Sequence, residues 1–358
     1  MSSTNRGIVN KAVQYLESGT TKTAVVELPI ETPGPGQVLV RLLYSGVCHT
    51  DYGFATNAFG IPVPQGQIGG HEGIGEVIER GPGVISPAIG AKVGIKYAAE
   101  VCLNCDNCLV GGQTSCSSVK ISGCYHPGTF QQYLVSSAQY ATPIPEGLDL
   151  AGAAPLMCAG ITVYAALKRS GTRPGDIVLV TGAGGGLGHL AIQYAKVLGA
   201  KVVAIDSGPK EALCRELGAS TFIDYTQFQA DEEITAEVKK SAPNGVKTVL
   251  CCVTSQRAYG QSIGFLGFRG TLVCLGVPDG MGASWPIPGA TVGVFLDKEL
   301  SIMGLKSGNQ LEAKECLEVA ATGAVRTRYE LRPMDSVTQI FDEMEAGTIS
   351  GRVVLDLR

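Results

Sequence analysis

Runs of like charge are missing from this 358-residue sequence. Its 28 Lys and Arg are scattered among 32 Asp and Glu, for a formal net charge of −4. That leaves no electrostatic footprint for nucleic acid or an anionic membrane surface, and points to a small-molecule partner. Unbroken apolar runs are missing as well. The longest, Ala151 to Leu167, is interrupted by Gly152, Pro155, Gly160 and Thr162, and reads as a buried segment at a domain junction rather than a membrane span. Met1 to Glu17 has neither an apolar signal core nor the repeated arginines of an organelle presequence, so the cytosol is the expected location. There is no internal repeat and no low-complexity tract, and only 17% of residues are charged against 45% hydrophobic, which excludes a disordered chain.

What is present in quantity is glycine, 48 residues, and cysteine, 12 residues. The length suggests two domains with separate cores. Short β-like runs such as Val38 to Leu43 and Gly75 to Ile78, set between turn residues, make the first half a β-rich, loop-heavy domain. After Pro174-Gly175-Asp176 the texture changes. Ile177 to Val180 is a β-branched run, and Gly182 to Gly188 follow directly. A helix over Leu187 to Leu198 then places Leu187, Leu190, Ala191, Tyr194 and Leu198 on one stripe. Further strands at Val202 to Asp206, Thr221 to Ile223, Thr248 to Cys252, Thr271 to Leu275 and Leu300 to Met303 alternate with helical stretches such as Pro209 to Leu217. The alternation predicts a parallel, doubly wound α/β sheet.

A parallel strand running into Gly182-Ala183-Gly184-Gly185-Gly186-Leu187-Gly188 lets bare backbone approach a pyrophosphate at a helix N-terminus. Eighteen residues past Gly188 the next strand ends in Asp206, placed to accept hydrogen bonds from adenosine ribose hydroxyls. The same carboxylate would repel the 2′-phosphate of NADP. Ser207-Gly208-Pro209 supplies no arginine to neutralise that phosphate, so NAD is the expected cofactor. Lys210 is a candidate donor to the same ribose, or simply a solvated lysine at a helix start.

Two groups of residues point to metal. Cys102, Cys105, Cys108 and Cys116 form a C-x2-C-x2-C-x7-C cluster in a loop-like segment, and four thiolates so close can complete a tetrahedron round a structural zinc. Local disulfides are the alternative, which two successive i,i+3 steps fit less well. The second group is scattered: Cys48-His49-Thr50-Asp51, Gly70-His71-Glu72-Gly73 and Cys158. Singly, a buried Cys is usually a small hydrophobe and a His a satisfied core residue. The remaining Cys124, Cys214, Cys251, Cys252, Cys274 and Cys316 read as buried apolar fillers, and His126 and His189 carry no assigned role.

Ser45-Gly46-Val47-Cys48-His49-Thr50-Asp51, Gly69-Gly70-His71-Glu72-Gly73, Phe130-Gln131-Gln132-Tyr133 and Cys158 to Tyr164 together resemble the zinc-containing medium-chain alcohol dehydrogenases, the yeast-type enzymes most nearly. The likeness runs over essentially the whole chain. It implies a GroES-like β-barrel catalytic domain over 1–160 and 299–358, with a Rossmann NAD-binding domain inserted as 161–298. It implies two zinc ions and NAD(H), and a hydride exchanged between NAD(H) and a primary or secondary alcohol or the matching carbonyl compound. It implies Cys48, His71 and Cys158 as catalytic zinc ligands, a set taken from the resemblance and not from spacing, with the fourth position open for substrate. Glu72 matches a carboxylate that can approach that zinc, Asp51 the group that orients the ligand histidine, and Thr50 the hydroxyl that passes on the proton. His49 and Arg352 match residues that contact the cofactor pyrophosphate.

The sequence departs from the family pattern at two places. Where a histidine ends the proton relay, five residues after the first zinc cysteine, this chain has Gly53, and Tyr52 beside it would normally be protonated near neutrality. Phe59 and Tyr97 stand where the yeast-type enzymes carry two bulky tryptophans, which suggests a roomier pocket and a substrate larger than ethanol. The glycine turn is also one residue longer than plain G-x-G-x-x-G. Two other functions share the architecture: a zinc-free quinone or enoyl reductase, which would need neither metal set, and a catalytically silent NAD-binding homologue. A homodimer or homotetramer is expected from pairing of the apolar strands near 271–303.

Overall fold

The computed structural model describes residues 9–277 and 286–358, so 278–285, within the span expected to pair subunits, lie outside the described residues. The chain divides into two compact units, Met1–Cys158 with Asn309–Leu317 and Tyr329–Arg358, and Ala159–Gly308 with Glu318–Arg328.

The first unit is built on a seven-stranded sheet. Its spine is the strand Gln37–Val47, which pairs antiparallel with Gly73–Arg80, with Tyr133–Ser137 and with the C-terminal strand Arg352–Asp356. Alternation along these strands sends Val38, Val40, Leu42, Val77, Val353 and Leu355 into one buried cluster. The C-terminal pair, Tyr329–Pro333 and Arg352–Asp356, thus completes a sheet begun by the N-terminal half, as the resemblance implied. The register sets Val47 opposite Val353, so the chain just before Cys48 runs beside Arg352.

The second unit is a six-stranded parallel sheet in the order 221–224, 201–206, 177–181, 246–251, 266–274, 301–304. Counted along the chain this is 3-2-1-4-5-6, the doubly wound Rossmann order, which reverses beside the strand Ile177–Thr181. That strand is fully buried from Val178 to Val180, which explains its continuous apolar run. The helix after the glycine turn is Gly188–Val197. The expected helix Pro209–Leu217 begins with a 3-10 turn, Gly208–Lys210, and ends at Gly218, whose φ of 113° supplies the left-handed cap.

The expected boundary at 299 falls instead at 308, because Ser301–Gly304 pairs with Leu266–Cys274 and stays with the second unit. Residues 318–328 join it too: Gln193 exchanges side-chain hydrogen bonds with the Arg326 backbone, and His189 Nε2 accepts from Arg328 N–H at 3.2 Å. His189 is thereby a structural residue. The apolar segment passes as a 20-residue helical run, Leu150–Arg169, long and apolar enough to cross a membrane, but 83% of its apolar window is buried inside the protein.

Candidate active site and metal centres

In the first unit, the N-terminus of the short helix His49–Ala55 carries Cys48 as its cap residue, and the chain before the strand Gly73–Arg80 carries His71 and Glu72. Cys158 lies in a π-helical turn, Leu156–Gly160, that follows Pro155; such turns interrupt helices at functional sites. One ligand atom from each of Cys48, His71, Glu72 and Cys158 lies within 4.8 Å of all the others.

The histidine is held from behind. His71 Nδ1 sits 2.8 Å from Asp51 Oδ1, and Asp51 Oδ2 accepts the Cys48 backbone N–H at 2.9 Å. A carboxylate can only accept, so Nδ1 carries a proton, and in the neutral ring Nε2 presents its lone pair. That Nε2 is buried and has no hydrogen-bond partner, an orphan that costs free energy unless something binds it. Burial disfavours the imidazolium, but the charge and hydrogen bond of Asp51 outweigh it and hold His71 well above its ordinary pKa. A hydrogen bond from Cys158, with Arg352 and His71 nearby, holds the Cys48 thiol well below its usual range, while the same bond and burial push Cys158 up. Two soft thiolate donors and one imidazole lone pair, converging on a point that no protein atom satisfies, are the donor set of a zinc site with one position to spare.

Glu72 is fully buried and binds Arg352 through both carboxylate oxygens, one at 2.5 Å. Desolvation raises its pKa to about 8 even though the guanidinium pulls the other way. Arg352, 7% exposed, keeps Nε buried without a partner. No spacing points to this pair, whose members stand 280 residues apart. Three further residues near the site also went unread. Gly46 leaves room for Glu72, because a Cβ there would stand 2.0 Å from Glu72 Oε2. Thr129 Oγ1 accepts the Glu72 N–H at 3.2 Å and lies 2.7 Å from Ser45 Oγ, which itself donates to Gly46 O. By donor counting, Thr129 donates to Ser45, and the buried chain fixes the Glu72 backbone. Ser45 and Gly46 lie in a quoted motif and Thr129 borders another, but no spacing links them.

Tyr97 stands edge-on to His71, with ring centroids 5.9 Å apart, so it borders the donor set. Phe59 does not stand free in a pocket wall. It is 7% exposed and packs edge-on against Phe54, with its ring over Gly53. Thr50 is half-buried and His49 exposed, the His49 ring 5.2 Å from that of Tyr52.

The four-cysteine cluster lies elsewhere in the same unit. Cys102, Cys105, Cys108 and Cys116 again bring four sulfurs within 4.8 Å of one another. Bonds of about 2.3 Å to a tetrahedral zinc imply sulfur separations of about 3.8 Å. The observed 3.4 Å for Cys116 to Cys102 and 4.0 Å for Cys102 to Cys108 bracket that length. Backbone N–H groups of Cys102, Cys105 and Ser118 point at sulfur, as thiolates require. None of the twelve cysteines is in a disulfide. Of the expected fillers, Cys124, Cys214, Cys251 and Cys316 are buried, and Cys252 and Cys274 half-buried.

In the second unit, Gly182 turns the chain with φ of 63°, and a Cβ on Gly188 would meet Gly182 O at 2.1 Å, so Gly188 lets helix and strand pack closely. Gly185 N–H closes the turn onto Gly182 O. Gly186 and Leu187 lead into the helix. Asp206 ends its strand with Oδ2 accepting the Gly184 N–H at 2.8 Å and Oδ1 the Ser207 N–H at 2.7 Å. Lys210 stacks its stem against Gly184. Gly182, Asp206, Tyr225, Phe228 and Val253 line a cavity of about 440 Å³, space for a nucleoside.

Comparison with known proteins agrees with this geometry. Residues 34–146 match the alcohol dehydrogenase GroES-like domain, and residues 186–322 the zinc-binding dehydrogenase domain. The chain is 45% identical to alcohol dehydrogenase 2 of Emericella nidulans, with 97% of each chain covered. Among solved structures it superposes on acetophenone reductase from Geotrichum candidum in complex with NAD, with a TM-score of 0.82, 26% identity and 97% of each chain covered. The cobalt- and zinc-bound thermostable alcohol dehydrogenase from Pyrobaculum aerophilum gives 0.84 at 26% identity, covering 98% of this chain and all of that one. With the two zinc-type donor sets and the glycine turn in place, the chain belongs to the zinc-binding, GroES-like alcohol dehydrogenase family.

Proposed function

We propose that this enzyme exchanges a hydride between NAD(H) and an alcohol, or the matching aldehyde or ketone, bulkier than ethanol. The observation that carries the reaction class is the buried, unpartnered His71 Nε2 facing the two thiols Cys48 and Cys158. Zinc held there supplies Lewis acidity, which acidifies an alcohol or polarises a carbonyl group. The chain's own residues do the rest. Asp51 fixes the imidazole tautomer and Thr50 offers a hydroxyl to carry the substrate proton. Arg352 offsets part of the burial penalty on Glu72 and holds that group beside the ligands. The amides at the start of Gly188–Val197 are suited to the pyrophosphate, Asp206 to the adenosine ribose and Lys210 to its hydroxyls. The four-cysteine loop serves as the structural zinc site.

Support for a larger substrate is the pairing of Phe59 with Gly53, which withdraws that ring from any pocket, and the likeness to an acetophenone reductase. The exposed Val292 and Leu296, on the helix just before the edge strand Ser301–Gly304, support self-association as a dimer or tetramer, and twelve cysteines outside any disulfide support a reducing, cytosolic setting. The test is zinc content of the purified protein together with NADH formation across primary, secondary and aromatic alcohols. Two zinc ions per chain with turnover on the larger alcohols is the expected result. A strict preference for ethanol overturns the substrate proposal, and one zinc ion without turnover favours a silent NAD-binding homologue.

A further inference from the structure

Asp206 does not end its strand alone. The neighbouring parallel strand Thr221–Asp224 is in register with it, so that Asp206 and Asp224 are direct partners at the same end of the sheet. Register partners on adjacent strands stand about 5 Å apart and share a face. The Asp224 carboxylate accepts from Thr226 N–H at 3.0 Å, Thr226 Oγ1 at 2.7 Å and Gln227 Nε2 at 3.1 Å. Oδ2, which accepts from Gln227, also lies against Gly208, where an added Cβ would stand 2.8 Å from it. Gly208 opens the turn that follows Asp206, so the carboxylate faces the backbone that would border a ribose held by Asp206. All these donors are neutral, and they keep Asp224 ionised below its ordinary pKa without cancelling its charge. Arg257, which lines the same cavity as Asp206, is paired with Asp231 at 2.8 Å.

We propose that Asp224 is a second cofactor-specificity residue, which adds a negative charge behind Asp206 and rejects the 2′-phosphate of NADP(H) without touching NAD(H). This rests on the proposal that Asp206 receives the adenosine ribose. A phosphate carrying about two charges, roughly 8 Å from one carboxylate in a water-like dielectric, is disfavoured about fivefold at low ionic strength, and less once salt screens the pair. The consequence is that replacing Asp206 alone leaves a residual barrier to NADP(H).

The test is fluorescence titration of the zinc-loaded enzyme with NADH and NADPH for Asp224→Asn, Asp206→Asn and the double variant. Asparagine keeps an acceptor for Thr226 and removes the charge. Asp224→Asn is expected to leave NADH affinity unchanged and to tighten NADPH about fivefold, a gain that shrinks at about 0.5 M salt. Equal losses for both nucleotides would show that Asp224 only shapes its turn, and would overturn the proposal, as would an unchanged ratio. If Asp206→Asn shifts the ratio and Asp224→Asn does not, the ribose proposal stands and this one falls. If Asp206→Asn moves neither nucleotide, the ribose proposal falls and takes this one with it.

Discussion

Gly53 stands where the resemblance to the yeast-type enzymes implies a relay histidine, and the direct experiment is to put a histidine there. The structure shows why that substitution alone fails. A Cβ on residue 53 would lie 2.4 Å from two atoms of the Phe59 ring, far inside van der Waals contact. The ring cannot retreat cheaply, being 7% exposed and seated edge-on against Phe54 at 5.9 Å. In an unhindered helix, Gly→Ala gains about 1 kcal/mol. Overpacking a closed site costs about 1–3 kcal/mol, so Gly53→Ala is expected to lose about 1 kcal/mol net and Gly53→His more. Phe59→Ala alone costs about 3 kcal/mol for the cavity it opens. Together the two changes exchange one ring for another, and the double variant should recover at least about 2 kcal/mol of the summed losses. The assay is denaturant unfolding of the four zinc-loaded proteins, followed by the pH profile of alcohol oxidation. The wild type should show a weak or shifted pH dependence, and only the Gly53→His, Phe59→Ala protein should gain the profile of a restored base. Gly53→Ala more stable than wild type, or two losses that simply add, would refute the steric argument. A pH profile unchanged in a stable double variant would refute the relay argument.

Other expectations follow from the same site and its surroundings. Both oxygens of Asp51 receive N–H groups, from His71 and Cys48, whereas asparagine has one acceptor and one donor. Asp51→Asn therefore opposes two donors or flips the His71 tautomer, and should weaken zinc binding about 10- to 100-fold in chelator competition; unchanged affinity would count against the orienting role. Lys96 is buried, with Nζ on Tyr140 O at 2.7 Å and Thr142 Oγ1 at 2.6 Å, and burial lowers its pKa to about 7. The unfolded chain holds that proton up to about pH 10.4, so in this window the unfolded state binds more protons and stability rises with pH. Lys96→Met should therefore compare more favourably with wild type at about pH 6 than at about pH 10, by a few kcal/mol at most in urea unfolding. An equal difference at the two pH values would show that the amine is not desolvated as described.

The parts of the molecule legible in the sequence are those whose geometry is local. A tetrahedron of thiolates needs ligands a turn apart, so Cys102, Cys105, Cys108 and Cys116 announce themselves by spacing, and a strand, glycine turn and helix must be consecutive to cradle a phosphate. The strands 177–181 and 201–206 read correctly because burial on both faces leaves continuous apolar runs. What depends on register could not be read. Glu72 meets Arg352 only because Gln37–Val47 pairs antiparallel with the C-terminal strand, placing Val353 opposite Val47. Asp206 meets Asp224 only because two parallel strands align without a slip, since one residue's offset would have turned the second carboxylate to the opposite face.

The same distinction explains why the departures from the family pattern were visible as letters but not as structure. Gly53 and Phe59 are six residues apart, too far for neighbours on one helix face, and the helix ends at Ala55. The left-handed Asn57 beyond it turns the chain back, with Ala58 N–H on Gly53 O, and lays Phe59 on Gly53. In this chain the Phe59 ring fills the volume that a side chain at 53 would need. A side chain at 53 therefore requires the ring at 59 to move, so in this chain the two positions cannot be altered independently.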